Sequence, residues 1–321
     1  MLKPQKNPDE AVAAASDGRL RLILEGAVAY LRGDFEHTIS CYRSVEDDDA
    51  AMICSSPLTI AAAISTGDYA LYSQIEAHLK NIVAADMGGC VTACAELALD
   101  TATVSALASN IVSDWLQNGK FGALPPQTRQ VAAYLRAKCY QGYGQYEQML
   151  LVAQTALGVC DTGQGVLFAG IYFRVACAIA CFYLERIDEA KEYLLDAMSI
   201  ALPHGFITPL AKSAAAFGGL LERCLEQEFP EHYDAVIGLW KRIFANWVTF
   251  HNQFTKNNIT HILSLRDYQI ALLLTQRASY KTIARQLNIS TGRLSNIIQE
   301  IYGRLFVHSR DELAHYILPG K

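Results

Sequence analysis

The sequence predicts an all-α protein in two parts, a long helical-repeat body followed by a small four-helix module. Three observations predict it. Apolar residues recur with the 3.6-residue period of helices and almost never alternate as in strands. A helix, a tight glycine-acid turn and a second helix return several times along the first two-thirds. Near the end, two short amphipathic segments are joined by only Asn288, Ile289 and Ser290, a joint too short to let helices lie antiparallel, so they must cross steeply. Composition agrees: of 321 residues 51 % are hydrophobic and 18 % charged, which suits helices packed on several sides.

The N-terminal stretch carries Lys3 and Lys6 among prolines and acids with no apolar run behind them, so no secretory signal is expected. Val166 to Leu184 is apolar and long enough to cross a bilayer, but Arg174 sits near its middle; a buried repeat helix is the expectation, with no membrane as partner. Nine cysteines lie in apolar helical context. Cys90/Cys94 and Cys177/Cys181 are each one turn apart, but no second pair or histidine at finger spacing completes a metal site. Buried reduced thiols, a cytoplasmic location and no metal or cofactor follow as expectations.

The body repeats around Gly33-Asp34-Phe35-Glu36, again at Gly67-Asp68-Tyr69, at Gly144-Gln145-Tyr146-Glu147 and at Arg186-Ile187-Asp188-Glu189. A degenerate copy is expected between Glu96 and Lys120. Small residues precede each turn and aromatics follow it, so units of roughly 34 to 42 residues resemble tetratricopeptide repeats over about residues 15 to 225. The resemblance implies hairpins stacked into a superhelix whose concave groove holds a protein, peptide or small-molecule effector. "PEHYDAVIGLWKRIFANWVTFHNQF" places Leu239, Ile243, Trp247 and Phe250 at helical spacing, a helix over about 231–252 expected to cap the last repeat. The predicted division is a repeat domain over 1–254, a polar linker over 255–262 and the module over 263–321.

In the module Ser264, Ser279 and Ser290 stand where helix N-caps belong, and Ser309 with Glu312 three residues on forms a capping box. The predicted core of the crossed pair is Ile283, Ala284, Leu287, Ile289, Leu294, Ile298 and Ile301. From His261 onward there are eight lysines and arginines against four acids, a net +4, while the preceding 260 residues hold 19 basic and 28 acidic residues, a net −9. A basic module on an acidic body is the distribution expected when one end meets a polyanion.

Leu263, Arg266-Asp267, Ile270 to Leu274, Lys281-Thr282-Ile283-Ala284, Leu287, Ile289-Ser290, Leu294 to Leu305, Val307 and Ser309-Arg310-Asp311-Glu312 resemble, without a gap, the DNA-binding domain of LuxR-type regulators. Leu265, Tyr268 and Arg277 stand where that family usually has Pro, Glu and Gly. The resemblance implies that Arg293, Ser295, Asn296 and Gln299 face DNA bases, with Gly292 and Ser295 replacing common lysines. Asn296 and Gln299 suit adenine, and Arg293 suits guanine or a phosphate. Lys281, Thr282, Arg304 and Arg310 are the implied phosphate contacts, and Leu313, Tyr316 and Ile317 of the fourth helix the implied dimer contacts.

Repeats followed by this module are similar to the C-terminal part of MalT-like and large ATP-binding LuxR-type regulators. "GVCDTGQG", Gly158 to Gly165, lacks the lysine of a phosphate-binding loop, so switching without nucleotide hydrolysis is expected. The expected function is a non-enzymatic transcriptional regulator that binds double-stranded DNA as a homodimer and senses an effector through its repeats. The alternative is a protein-interaction scaffold whose module no longer binds DNA specifically.

Overall fold

The computed structural model describes residues 7–85, 89–105, 112–160, 167–255, 263, 265–287, 289–305 and 307–317. Among these there are helices and turns but no strand. The body comprises α1 (Pro8–Ala13), α2 (Gly18–Arg32), α3 (Phe35–Arg43), α4 (Asp49–Thr66), α5 (Tyr69–Ala84), α6 (Gly89–Ser105) and α7 (Asp114–Asn118). It continues with α8 (Arg129–Gly142), α9 (Tyr146–Val159), α10 (Leu167–Tyr183), α11 (Ile187–Ala201), α12 (Thr208–Ala211), α13 (Leu220–Glu228) and α14 (Tyr233–Thr255). The module is α15 (Leu265–Thr275), α16 (Tyr280–Gln286), α17 (Thr291–Leu305) and α18 (Arg310–Ile317). The segment expected as linker lies almost wholly outside the described residues, as do Ser264 and Asp161 to Gly165.

Four hairpins, α2/α3, α4/α5, α8/α9 and α10/α11, close with the same turn. Gly33 N–H donates to Tyr30 O at 3.0 Å and Asp34 N–H to Ala29 O at 2.9 Å, the paired bonds of a helix ended by a left-handed residue. The same pair recurs at Gly67/Asp68, Gly144/Gln145 and Glu185/Arg186. The left-handed residue is glycine in three copies and Glu185, at φ 63°, in the fourth. Asp34 and Asp68 also cap the next helix, accepting from His37 N and Leu71 N at 3.0 and 2.9 Å. Gln145 and Arg186 make no such side-chain bond, so the backbone turn, not its cap, is what the copies share.

Buried alanines let neighbouring helices approach closely: Ala61, Ala62 and Ala63 on α4, Ala95, Ala98 and Ala102 on α6, Ala176, Ala178 and Ala180 on α10. Arg174, the charge inside the apolar stretch, reaches Asp196 on α11. α4 is long and apolar enough to cross a membrane by length and composition, yet 61 % of it is buried inside the protein. All nine thiols are free. The expectation that they are buried needs correction at Cys54 and Cys90, which are exposed, and at Cys94, which is half-buried.

The series of hairpins closes on itself. Thr208 Oγ1 donates to Tyr30 O at 2.6 Å, Arg32 Nε to His204 O at 3.2 Å, and Val28 and Leu31 of the first hairpin share a cluster with Ile171 and Ala201 of the fourth and with Phe206 just beyond it. Nor does α14 cap the end of the series as expected. It runs along the turns: Leu239 lies against Gly33, Asn246 against Gly67, and Trp247 Nε1 donates to Ser105 O at 2.8 Å. Leu239 and Asn246 are seven residues apart, roughly 10 Å along a helix, which equals the spacing of neighbouring packed helices. One helix can thus meet successive hairpins at one face. Phe250, fully buried, packs 5.1 Å from the Tyr72 ring and 5.5 Å from that of Tyr69.

Inside the closed series, burial holds the ammonium groups of Lys138 and Lys212 down at about 8, from 10.5. A base whose folded pKa is depressed destabilises the fold fully below the folded value, and the penalty fades as pH rises toward the unfolded one. The buried thiols act oppositely, because their raised values favour the fold only below about 9. The lysine contribution is therefore a difference: Lys212→Met is expected to be more stable than the natural chain by about 1–2 kcal/mol below pH 8, narrowing from pH 8 toward 10.5. Chemical denaturation of both proteins across that range measures it, and a gap that does not change with pH would contradict the burial of the charge.

Candidate nucleic-acid interface

Three serines start the module's helices. Ser279 Oγ accepts from Thr282 N at 3.1 Å, Ser290 Oγ from Arg293 N at 3.2 Å and Ser309 Oγ from Glu312 N at 3.1 Å. Glu312 reaches back to His308 N at 2.9 Å, so the box closes one residue earlier than expected. These bonds and the Ser309 hydroxyl hold the Glu312 carboxyl below its usual range.

The interior is built as the stripe of α17 dictates. Leu294, Ile298, Ile301 and Leu305 are buried with Ile283 and Ala284 of α16 and Tyr268, Ile270 and Leu274 of α15. Leu287 and Ile289 pack against this core while remaining partly exposed. With that face inward, Arg293, Asn296 and Gln299 point outward and are exposed, and Ser295 is half-exposed beside them. Gly292 has open space where a Cβ would stand. This outward face thus carries a guanidinium and two carboxamides, on the second helix of the crossed pair.

The other expected contacts divide. Lys281 is exposed at the start of α16, where a phosphate contact would lie. Thr282, expected at a phosphate, is 4 % exposed, with its hydroxyl 2.8 Å from Ser279 Oγ, so it serves the helix start. Arg310 Nη2 donates to Ala278 O at 3.0 Å and its guanidinium lies 5.6 Å from the Tyr280 ring centre; it braces α18 to α16. Leu313 is fully buried in the module's own core against α15, and not on a dimer surface as expected. The side chains of Arg304, Tyr316 and Ile317 lie outside the described residues.

The sequence did not reveal that this module is docked on the body. Gln286, at the end of α16, is buried and donates to Tyr183 Oη and Ala216 O, both at 3.1 Å. The Arg285 guanidinium sits 5.1 Å from the Phe182 ring centre. At the third hairpin turn, the carbonyl of Gln276 comes within 2.7 Å of where a Cβ on Gly144 would be. Trp247 of α14 lies 5.8 Å from Tyr268. The module thus meets the body through α15 and the end of α16, while Arg293, Asn296 and Gln299 of α17 stay exposed.

Arg277, standing where glycine was expected, adopts φ 59° and closes α15 with the bonds Arg277 N to Leu274 O and Ala278 N to Leu273 O. This is the same turn as those of the hairpins, made by a residue that disfavours it. Arg277→Gly is expected to raise stability by about 1 kcal/mol, read as a higher melting temperature. A lower one would mean that the Arg277 side chain contributes more than its backbone strain costs.

One cluster elsewhere has the residue types of a metal site. Glu25, His37 and Cys41 place one ligand atom each within 4.8 Å of one another. His37 Nε2 is already 2.8 Å from Glu25 Oε1, and burial, then the Glu25 carboxylate, push the Cys41 thiol up to about 11, which favours a protonated thiol in place of a metal ligand.

Comparison with known proteins bears on the module alone. Residues 261–317 match the family model described as bacterial regulatory proteins, luxR family; the match begins two residues before the expected start. No curated protein and no solved structure matches the chain. Residues 261–317 are therefore a LuxR-type helix-turn-helix domain, carried at the end of an all-helical body.

Proposed function

We propose that this protein is a DNA-binding transcription regulator in the cytoplasm, whose helical body senses an effector and whose module reads operator DNA. The observation that carries this is the exposed row Arg293, Asn296 and Gln299 on the second helix of a luxR-family domain. Lys281 adds a cation at the flank, and the net +4 of the last 61 residues supports approach to phosphate. Docking at Gln286 ties the module's orientation to the body, so an effector that shifts the hairpin turns would shift the geometry in which two modules meet two half-sites, about one helical turn apart. Pairing of two copies on DNA belongs to this reading. Anisotropy of labelled duplexes at two salt concentrations tests it. Binding that falls steeply with salt and prefers some sequences supports the regulator; no binding at low salt replaces it with a protein-interaction scaffold.

A further inference from the structure

The inner wall formed by α2, α8, α10 and the residue after α12 brings together polar groups that the DNA-reading module does not use. Lys212 Nζ donates to the Tyr30 hydroxyl at 3.0 Å and lies 5.6 Å from the centre of its ring. Tyr172 donates to the same oxygen, and its ring centre is 5.0 Å from that of Tyr134. Lys138, one turn further along α8, donates to Gln141 Oε1 and is close enough to Lys212 for the two charges to repel. Among the described residues neither ammonium is paired with a carboxylate.

Charges withdrawn from water are normally paired, since desolvation is otherwise uncompensated. Here two of the same sign stand on the wall built by Tyr30, Tyr172 and Tyr134, and among the described residues no carboxylate is paired with either. The wall is reachable, because Lys138, Lys212, Tyr134 and Tyr172 all keep part of their surface exposed. An anion between the ammoniums would cancel their repulsion and accept charge-assisted bonds from both. The faces of Tyr134 and Tyr172 would cover the flat apolar part of such a molecule.

We propose that this wall binds a small organic anion, a carboxylate or phosphate ester carried on a flat ring, held between Lys138 and Lys212. Its role as effector rests on the regulator reading above; its binding does not. Pyridoxal 5′-phosphate is a suitable probe, since a neutral lysine amine adds to its aldehyde carbon with loss of water and borohydride fixes the product for peptide mapping. With the unmodified 321-residue chain at pH 7.5 and no DNA, label is expected at Lys138 or Lys212 about tenfold above the exposed Lys80 and Lys281. Benzoate and inorganic phosphate should protect and neutral benzamide should not; the stronger protector tells a carboxylate site from a phosphate site. Lys138→Gln and Lys212→Gln, each with unchanged circular dichroism, should weaken equilibrium binding of the non-reactive pyridoxine 5′-phosphate by about tenfold. Equal labelling of Lys80 and Lys281, protection by benzamide, or unchanged binding in both variants would overturn the site. Each readout is independent of DNA, so the two readings fail separately.

Discussion

The double variant Asn296→Ala, Gln299→Ala is expected to fold normally and to lose most of its preference for one DNA sequence over another. Both side chains are exposed on α17 and outside the buried stripe, so their removal opens no cavity. Each carboxamide can donate to and accept from one adenine edge, and a good bidentate pair discriminates by about 1–3 kcal/mol. Losing two should reduce specific affinity by about a hundredfold while leaving non-specific binding nearly unchanged. Lys281→Ala should behave differently, weakening all duplexes together and lowering the salt slope by about 0.9. The contrast is informative because both changes lie on one small domain. A double variant that weakens every sequence equally would mean that α17 contacts phosphates only, and the base-reading assignment would be wrong.

Legibility in the sequence follows the range of the interactions. The hairpin turns and the module's helix starts depend on residues within five positions of each other, as in Gly33/Asp34 with Tyr30 and Ala29 or Ser309 with Glu312, and they could be read directly. The face of α17 was legible because Leu294, Ile298, Ile301 and Leu305 keep helical spacing. What could not be read joins residues far apart: Leu239 on Gly33, Thr208 on Tyr30, Gln286 on Tyr183. Gln286 is also a polar residue at the end of a short helix, which local pattern assigns to solvent. Leu313 was misplaced for the converse reason, since an eight-residue helix offers too few turns to show which apolar face is inward. The wall of Lys138 and Lys212 is long-range as well, since Lys212 joins it through Tyr30 of α2.

Releasing the module from the body should need a single methyl group. A Cβ on Gly218 would stand 2.4 Å from Gln286 Cα and 2.2 Å from its Cγ, and the first of these is backbone, which cannot turn aside. Gly218 also has φ 52°, so alanine brings a left-handed penalty of about 1–2 kcal/mol whatever it touches. Gly205→Ala supplies the control, since Gly205 has φ 72° but its Cβ position is 3.8 Å from the nearest atom, Arg32 Cγ. Both variants should lose similar stability from backbone strain, while only Gly218→Ala should undock the module, seen as a larger radius of gyration in small-angle scattering. Gln286→Ala approaches the same state without strain, removing bonds to Tyr183 and Ala216 at about 1 kcal/mol each. Because Arg293, Asn296 and Gln299 are already exposed when docked, undocking should hardly alter affinity for a single half-site. It should alter affinity for two half-sites, where the orientation of each module relative to its body decides whether two copies fit together. An unchanged radius in Gly218→Ala would mean that the loop yields instead of the module, and the coupling of body to DNA would need another contact.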